Sequence, residues 1–135
     1  MKIRRYLMLV AACTFFLGKS FAANNEKPFV IPELQEWRGA QGMFTPSATS
    51  RIVWLGKDSA VVRVANQFAE DYETMFGRKL TVVQGRASAG DFVFSLSGDR
   101  QLGEEGYAVR IADRVSISAP KAKGLYWATR TILQM

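Results

Sequence analysis

The arrangement of apolar and polar residues along the chain predicts two amphipathic helices. The first is predicted from Ser59 to Phe76, and its apolar residues recur at steps of three or four: Val61, Ala65, Phe68 and Tyr72. The second is predicted from about Lys121 to Met135, with the same period: Leu125, Ala128, Ile132 and Met135. Each helix therefore has one apolar stripe, and both stripes can cover the same sheet.

Capping residues set the bounds of the first helix. Asp58 or Ser59 can accept a hydrogen bond from a free amide of its first turn. Gly77 follows the last apolar residue, at the position where a helix end commonly needs a positive φ. The second helix has no such stop signal, so we expect it to continue to Met135.

Alternating runs of β-branched and aromatic residues predict the strands. They lie at 51–55, 79–84 and 91–96, and a hairpin is predicted from 107–111 and 115–118. Before these, 28–32 is bracketed by prolines and is predicted to be an edge strand or an extended entry. Short strands are also predicted at 34–38 and 43–45, around a turn with two glycines.

This order of elements indicates the fold class. Clustered strands with only two helices favour an α+β domain over an alternating α/β domain. We therefore expect one mostly antiparallel (mixed) β-sheet with two α-helices packed on one face.

The first 22 residues have the three parts of a secretory signal peptide. A basic start is followed by an apolar run from Tyr6 to Leu17 and by Ser20-Phe21-Ala22, with small residues placed for cleavage after Ala22. The run is shorter than the roughly 20 residues that span a membrane. An alternative is a bacterial lipoprotein anchored through Cys13. Either way we expect export to the periplasm or outside, with 23–135 as the mature domain.

Removing that segment changes the charge argument. The whole chain has a net charge of +6, but four of its 18 basic residues and none of its 12 acidic residues precede residue 23, which leaves 14 − 12 = +2. The remaining Lys and Arg are dispersed, whereas nucleic-acid binding needs them clustered on one face. We expect no nucleic-acid partner and no transmembrane segment.

The residue types predict no catalytic, cofactor-binding or metal-binding site. The chain has no histidine, and Cys13 lies in the signal segment, so the usual catalytic base and the usual zinc ligands are missing. Gly103 and Gly106 precede a strand, whereas a phosphate loop joins a strand to a helix. Glu104 and Glu105 would point to opposite faces of a strand. The acidic residues at 70, 71 and 73 lie on the outer face of the first helix.

Aromatic residues leave a glycan-binding function open. Trp37, Trp54, Trp127 and the four tyrosines could form a platform for sugars, or they could fill the core. Trp54 lies in an apolar strand and Trp127 on a helix flank. Trp37, next to a turn, is the tryptophan expected to face solvent.

The last third of the chain carries motifs of a known family. Glu105-Gly106-Tyr107 opens the hairpin, and Gly124 is followed by Thr131-Ile132-Leu133-Gln134 in the second helix. This set resembles the N-terminal domain of glycoside hydrolase family 20, the β-N-acetylhexosaminidases. Ala128 stands where that family commonly has glycine. The resemblance extends over about 28–135.

The resemblance implies a non-catalytic accessory domain that packs against a catalytic (β/α)₈ barrel. In that family the catalytic Asp–Glu pair lies in the barrel, and the acetamido group of the substrate is the nucleophile. No residue of this chain matches those positions. Two alternatives remain at this point: a free-standing secreted glycan-binding module, and the accessory domain of another glycosidase family.

Overall fold

The computed structural model describes residues 23–135. The predicted signal peptide, its cleavage site and Cys13 lie outside the described residues. Within 23–135, no helix is both long enough and apolar enough to cross a membrane.

The described chain folds into five strands, two α-helices and one short 3₁₀ helix. In chain order, these are β1 (Arg51–Trp54), α1 (Ser59–Phe76), β2 (Thr81–Gln84), β3 (Phe92–Leu96), the 3₁₀ helix (Arg100–Leu102), β4 (Ala108–Ile111), β5 (Val115–Ala119) and α2 (Ala122–Ile132). The α+β class, the single mixed sheet and the two helices are confirmed.

The prediction that most strands pair antiparallel is wrong. The sheet order is β2-β1-β3-β5-β4, and its first three pairings are parallel while β4 and β5 form an antiparallel hairpin. The physical reason lies in the connections. A helix between β1 and β2 acts as a crossover, which makes those strands parallel. The connection 97–107 carries the chain past the β5 position, so β5 inserts beside β3.

Local sequence sets the helix ends. The Asp58 side chain accepts from the Ala60 amide at 2.8 Å, and Gly77 ends α1 with φ 67°. By contrast, α2 ends at Ile132, earlier than predicted, and a turn follows at 133–134.

The two faces of the sheet differ. One face packs Ile52, Phe92, Phe94 and Ile117 against Phe68 of α1 and Leu125 of α2, all of them buried. Val53 and Val93 point to the other side and are also buried, as is usual for central parallel strands. We call this second side the helix-free face, and it also carries Ser95, Ser116, Ser118 and Arg110.

Residues 23–50 contain no strand, so the strands predicted at 34–38 and 43–45 are wrong, and 28–32 pairs with no strand and bends at 31–32. The Asn25 amide donates to the Ala40 carbonyl at 2.8 Å, and the Asn25 side chain donates to Gly42. Phe44 then packs edge-on against Phe92, with ring centroids 5.4 Å apart. The segment is held by isolated contacts because its prolines and glycines interrupt any ladder.

Candidate docking surface

The sequence motifs of the last third are packing motifs. Gly124 lies against the Gly106 carbonyl, and a Cβ at Gly124 would lie 2.3 Å from that oxygen. The Tyr107 hydroxyl and Thr131 Oγ1 are 2.5 Å apart, which links the start of the hairpin to the end of α2. Ala128 is fully buried, so a small side chain is required there. These contacts fix the position of α2 on the sheet and hence which residues it exposes.

The outer face of α2 is tied to α1 by a charged contact. Arg130 donates to the Asp71 carboxylate across the two helices, and the Arg130 guanidinium lies 4.9 Å from the centre of the Tyr126 ring. Gln67 donates to the same carboxylate at 3.1 Å. Asp71, which was predicted to be solvated on the outer helix face, is therefore engaged by two partners.

Two aromatic side chains are presented beside this contact. Tyr126 and Trp127 are 37% and 41% exposed, and their rings meet edge-on with centroids 5.3 Å apart. Both lie on the side of α2 opposite the buried Leu125 and Ala128. Large apolar side chains that stay exposed together commonly mark an interaction site.

A loop next to the end of α2 extends this surface. Gln134 clamps the backbone of Ile31: its side-chain oxygen accepts from the Ile31 amide at 2.9 Å, and its side-chain nitrogen donates to the Ile31 carbonyl at 3.0 Å. Val30 is buried, whereas Phe29 and Ile31 are 88% and 69% exposed. An ion pair between Lys27 and Glu33 closes the loop at 2.6 Å. These contacts hold the backbone of the loop in place, and the side chains of Phe29 and Ile31 extend from it into solvent.

We call the exposed apolar side chains of α2, of its C-terminal turn and of the loop bound to Gln134 the α2 surface: Phe29, Ile31, Tyr126, Trp127 and Met135. Sequence reasoning did not find it. The period of α2 identifies only the buried stripe, and nothing in the sequence shows that Gln134 reaches a residue 103 positions earlier.

The tryptophans do not come together as a platform for sugars, which was one of the two alternatives left open by the sequence. Trp37 is half-buried and donates to the Asn25 carbonyl at 3.3 Å, so it faces solvent only in part. Trp54 packs against the core, as its strand pattern indicated. The exposed tryptophan is Trp127, because its position on α2 lies outside the apolar stripe.

Five of the twelve acidic residues, all of which lie within 23–135, form ion pairs with Lys or Arg. Glu104 and Glu105 lie in a turn and not on a strand, because β4 begins only at Ala108, and Glu105 pairs with Lys123. Glu70 and Glu73 are exposed on α1, as predicted. Within 23–135, no three Asp, Glu, His or Cys side chains are grouped as metal ligands would be.

One carboxylate is buried, at the start of the parallel strands. Asp91 is 2% exposed and accepts from Arg51 Nε at 3.2 Å, Arg51 Nη2 at 2.6 Å and the Ser88 amide at 2.8 Å. Burial opposes ionisation, but these hydrogen bonds outweigh it and hold the pKa of Asp91 below its ordinary value. The arrangement fastens the 85–91 connection to β1, which is a structural role.

Comparison with known proteins identifies the family. The sequence model of glycosyl hydrolase family 20, domain 2, matches residues 27–135. A comparison with curated proteins finds no match.

Solved structures with the same fold are much longer than this chain. A Streptomyces plicatus N-acetyl-β-hexosaminidase in complex with Thio-NAglucal is 26% identical over 62% of this chain and 16% of its own, with a TM-score of 0.54. A substituted form of the Streptomyces plicatus β-hexosaminidase in complex with its product GlcNAc is 25% identical, with a TM-score of 0.53, over 61% and 16% of the two chains.

A chitobiase from Flavobacterium johnsoniae shares the fold, with a TM-score of 0.54 and 15% identity over 70% of this chain and 16% of its own. In each case the chain spans about a sixth of the structure it matches. Because the family match covers most of the sequence, the chain belongs to glycosyl hydrolase family 20, in which it corresponds to domain 2.

Proposed function

We propose that this chain is the non-catalytic N-terminal domain of an exported β-N-acetylhexosaminidase, and that it supports a catalytic (β/α)₈ barrel in the same polypeptide. The parent enzyme would release terminal N-acetylhexosamine residues from glycans. Residues 1–22 would direct export to the periplasm or outside the cell, through cleavage after Ala22 or through a lipid on Cys13.

The observation that carries this proposal is the asymmetry of the two sides. The exposed side of α2 and the loop that Gln134 ties to its end carry the α2 surface, with Phe29, Trp127 and three further apolar side chains exposed. The helix-free face carries serines and an arginine around the buried Val53 and Val93, with no exposed aromatic ring among its described residues. Burying the α2 surface against another domain removes apolar area from water, at about 25 cal/mol per Å². The barrel is the partner that the family supplies.

The α2 surface is also preorganised for such a contact. Gln134 fixes the backbone that carries Phe29 and Ile31, and the Asp71 contact fixes Arg130 above Tyr126. Side chains that are already ordered lose less conformational entropy on binding. Aromatic residues placed in this way frequently dominate the energy of an interface.

A free-standing glycan-binding module is less well supported. It needs several exposed aromatic rings on one flat surface, but Trp37 is half-buried and Trp54 packs against the core. The exposed Tyr126 and Trp127 rings meet edge-on, at 66°, and so do not form a flat platform. The accessory domain of another glycosidase family is also less well supported, since the match is to family 20.

The test is hydrolysis by residues 23–135 alone. We expect no release of the chromophore from a chromogenic N-acetylglucosaminide, while a complete family 20 hexosaminidase under the same conditions releases it. The folded state of the fragment is verified by circular dichroism in the same sample. Release by the fragment would overturn the proposal. A parallel pull-down on chitin should retain none of the fragment, and retention would favour the glycan-binding module.

A further inference from the structure

The hairpin end of the helix-free face forms a basic pocket that the supporting role does not use. It has a volume of about 170 Å³ and is lined by Arg110, Ala112, Asp113, Arg114 and Ser116. The pocket lies on the side of the sheet opposite the α2 surface, so a domain packed on the helices leaves it open.

Pairing in the hairpin places the pocket residues on one face. Arg110 and Ser116 are direct partners in the antiparallel ladder, so their Cβ atoms are about 5 Å apart. Arg114 is two residues before Ser116 and points to the same side. The neighbours in the next row are Ala108, Ser118 and Ser95, all of them small. Two guanidinium groups therefore border a shallow floor of hydroxyl and methyl groups.

The two arginines differ in their engagement. Arg114 donates from Nε and Nη2 to the two carboxylate oxygens of Asp113, at 3.2 and 2.9 Å, and it also donates to the Ala87 carbonyl. This pairing holds the pKa of Asp113 below its ordinary value. Within 23–135, the Arg110 guanidinium makes no hydrogen bond. The pocket therefore contains Arg114 paired with Asp113, and Arg110, which makes no hydrogen bond within 23–135 but is attracted to the same carboxylate. The three side chains together carry a net charge of +1.

The positive charge extends beyond the pocket. The connection from β2 to β3 crosses this end of the sheet, where the Arg86 carbonyl accepts from Arg51 and the Ala87 carbonyl accepts from Arg114. Among the residues that the structure describes, Arg86 forms no ion pair, its side chain is exposed, and its backbone lies next to Ala87, which accepts from Arg114 of the pocket. A guanidinium matches the geometry of an oxyanion with two parallel hydrogen bonds.

We propose that this pocket binds the sulfate or carboxylate group of an acidic glycan. The guanidinium of Arg110 is the main ligand, the Ser116 hydroxyl donates to the same group, and Arg86 adds attraction at longer range. The sugar ring would lie over the small side chains of the sheet. Naming a glycan as the carrier of the anion rests on the proposed role in a glycosidase, whereas the pocket itself does not.

The test is a titration of residues 23–135, observed through backbone amide resonances. The probes are a chondroitin sulfate tetrasaccharide, a hyaluronan tetrasaccharide, neutral chitotetraose, sodium sulfate and a single-stranded oligonucleotide. We expect the two acidic glycans to shift the resonances of 108–118 and the neutral one to leave them unchanged. Arg110→Gln should weaken the binding at least fivefold. The matched control is Arg63→Gln, which makes the same charge change on α1, on the other side of the sheet.

Three results would overturn the proposal. The first is equal weakening by Arg63→Gln, which would indicate a response to net charge alone. The second is binding of sodium sulfate or the oligonucleotide as tightly as the acidic glycans, which would indicate a site for free anions or for any polyanion. The third is an absence of shifts with both acidic glycans. None of these results bears on hydrolysis by the fragment or on docking through the α2 surface, so the two proposals fail separately.

Discussion

At the scale of single residues, the fold depends on a few polar contacts between segments distant in sequence. Tyr107 reaches Thr131, Gln134 reaches Ile31, and Arg51 reaches Asp91. Each contact joins a loop to a helix or strand, or to the turn that directly follows one. A typical intramolecular hydrogen bond makes a net contribution of about 1 kcal/mol to the free energy of unfolding, and a bond to a charged group contributes more. The largest single effect is therefore expected at the buried Asp91.

Replacing Asp91 with Asn should lower the free energy of unfolding by about 2 kcal/mol, because the amide loses the charge-assisted bonds from Arg51. Urea unfolding at pH 7 measures the change. Asp113→Asn is the matched control, since Asp113 forms an exposed pair with Arg114 and exposed pairs contribute little. Equal effects of the two substitutions would contradict the structural role of Asp91.

The same variant should change the dependence of stability on pH. The pKa of Asp91 is lower in the folded state than the value of about 3.9 for an unfolded chain. Its contribution is therefore fully present above about pH 4 and is lost as the pH falls through the lower folded pKa. Thermal unfolding between about pH 5 and pH 2 should show a shallower loss of stability for Asp91→Asn than for the parent. Parallel curves would contradict this assignment.

At the scale of elements, the sequence predicted what local chemistry determines. The period of the apolar residues and the caps at Asp58 and Gly77 gave the bounds of α1, and the alternation of residues gave the β4–β5 hairpin. Strand order and direction depend on contacts between distant segments, so β1, β2 and β3 were not predicted to be parallel. The α2 surface was missed for the same reason, because Phe29 is brought to it by Gln134.

The fit of α2 to the hairpin can be tested at Gly124. Gly124→Ala raises helix propensity by about 1 kcal/mol, but its Cβ would lie 2.3 Å from the Gly106 carbonyl oxygen. We expect the clash to exceed the gain and to lower the free energy of unfolding by about 2 kcal/mol. Urea unfolding measures it.

Gly98→Ala is the control for this substitution, because a Cβ there meets no atom within 4 Å. It should leave the unfolding midpoint nearly unchanged. A Gly124→Ala variant as stable as the parent would show that α2 can shift away from the hairpin.

At the scale of the whole molecule, the two sides of the domain have different properties. α2 and the loop tied to its end present apolar and aromatic groups, while the helix-free face presents hydroxyl and guanidinium groups around the buried Val53 and Val93. This difference is expected if the apolar side contacts a partner domain and the polar side faces water. The central claim is thus that the α2 surface is the contact with the catalytic barrel.

Hydrogen–deuterium exchange of residues 23–135, with and without the catalytic barrel of its own enzyme as a separate polypeptide, tests this claim most directly. We predict slower exchange in 27–33 and 122–135 when the barrel is added, with no change in 115–119. Trp127→Ala should raise the barrel concentration needed for half-maximal protection about tenfold, since an interface aromatic residue contributes on the order of 1–2 kcal/mol to binding. Arg110→Gln should not weaken it. Protection confined to the β4–β5 hairpin, or equal exchange with and without the barrel, would contradict the account.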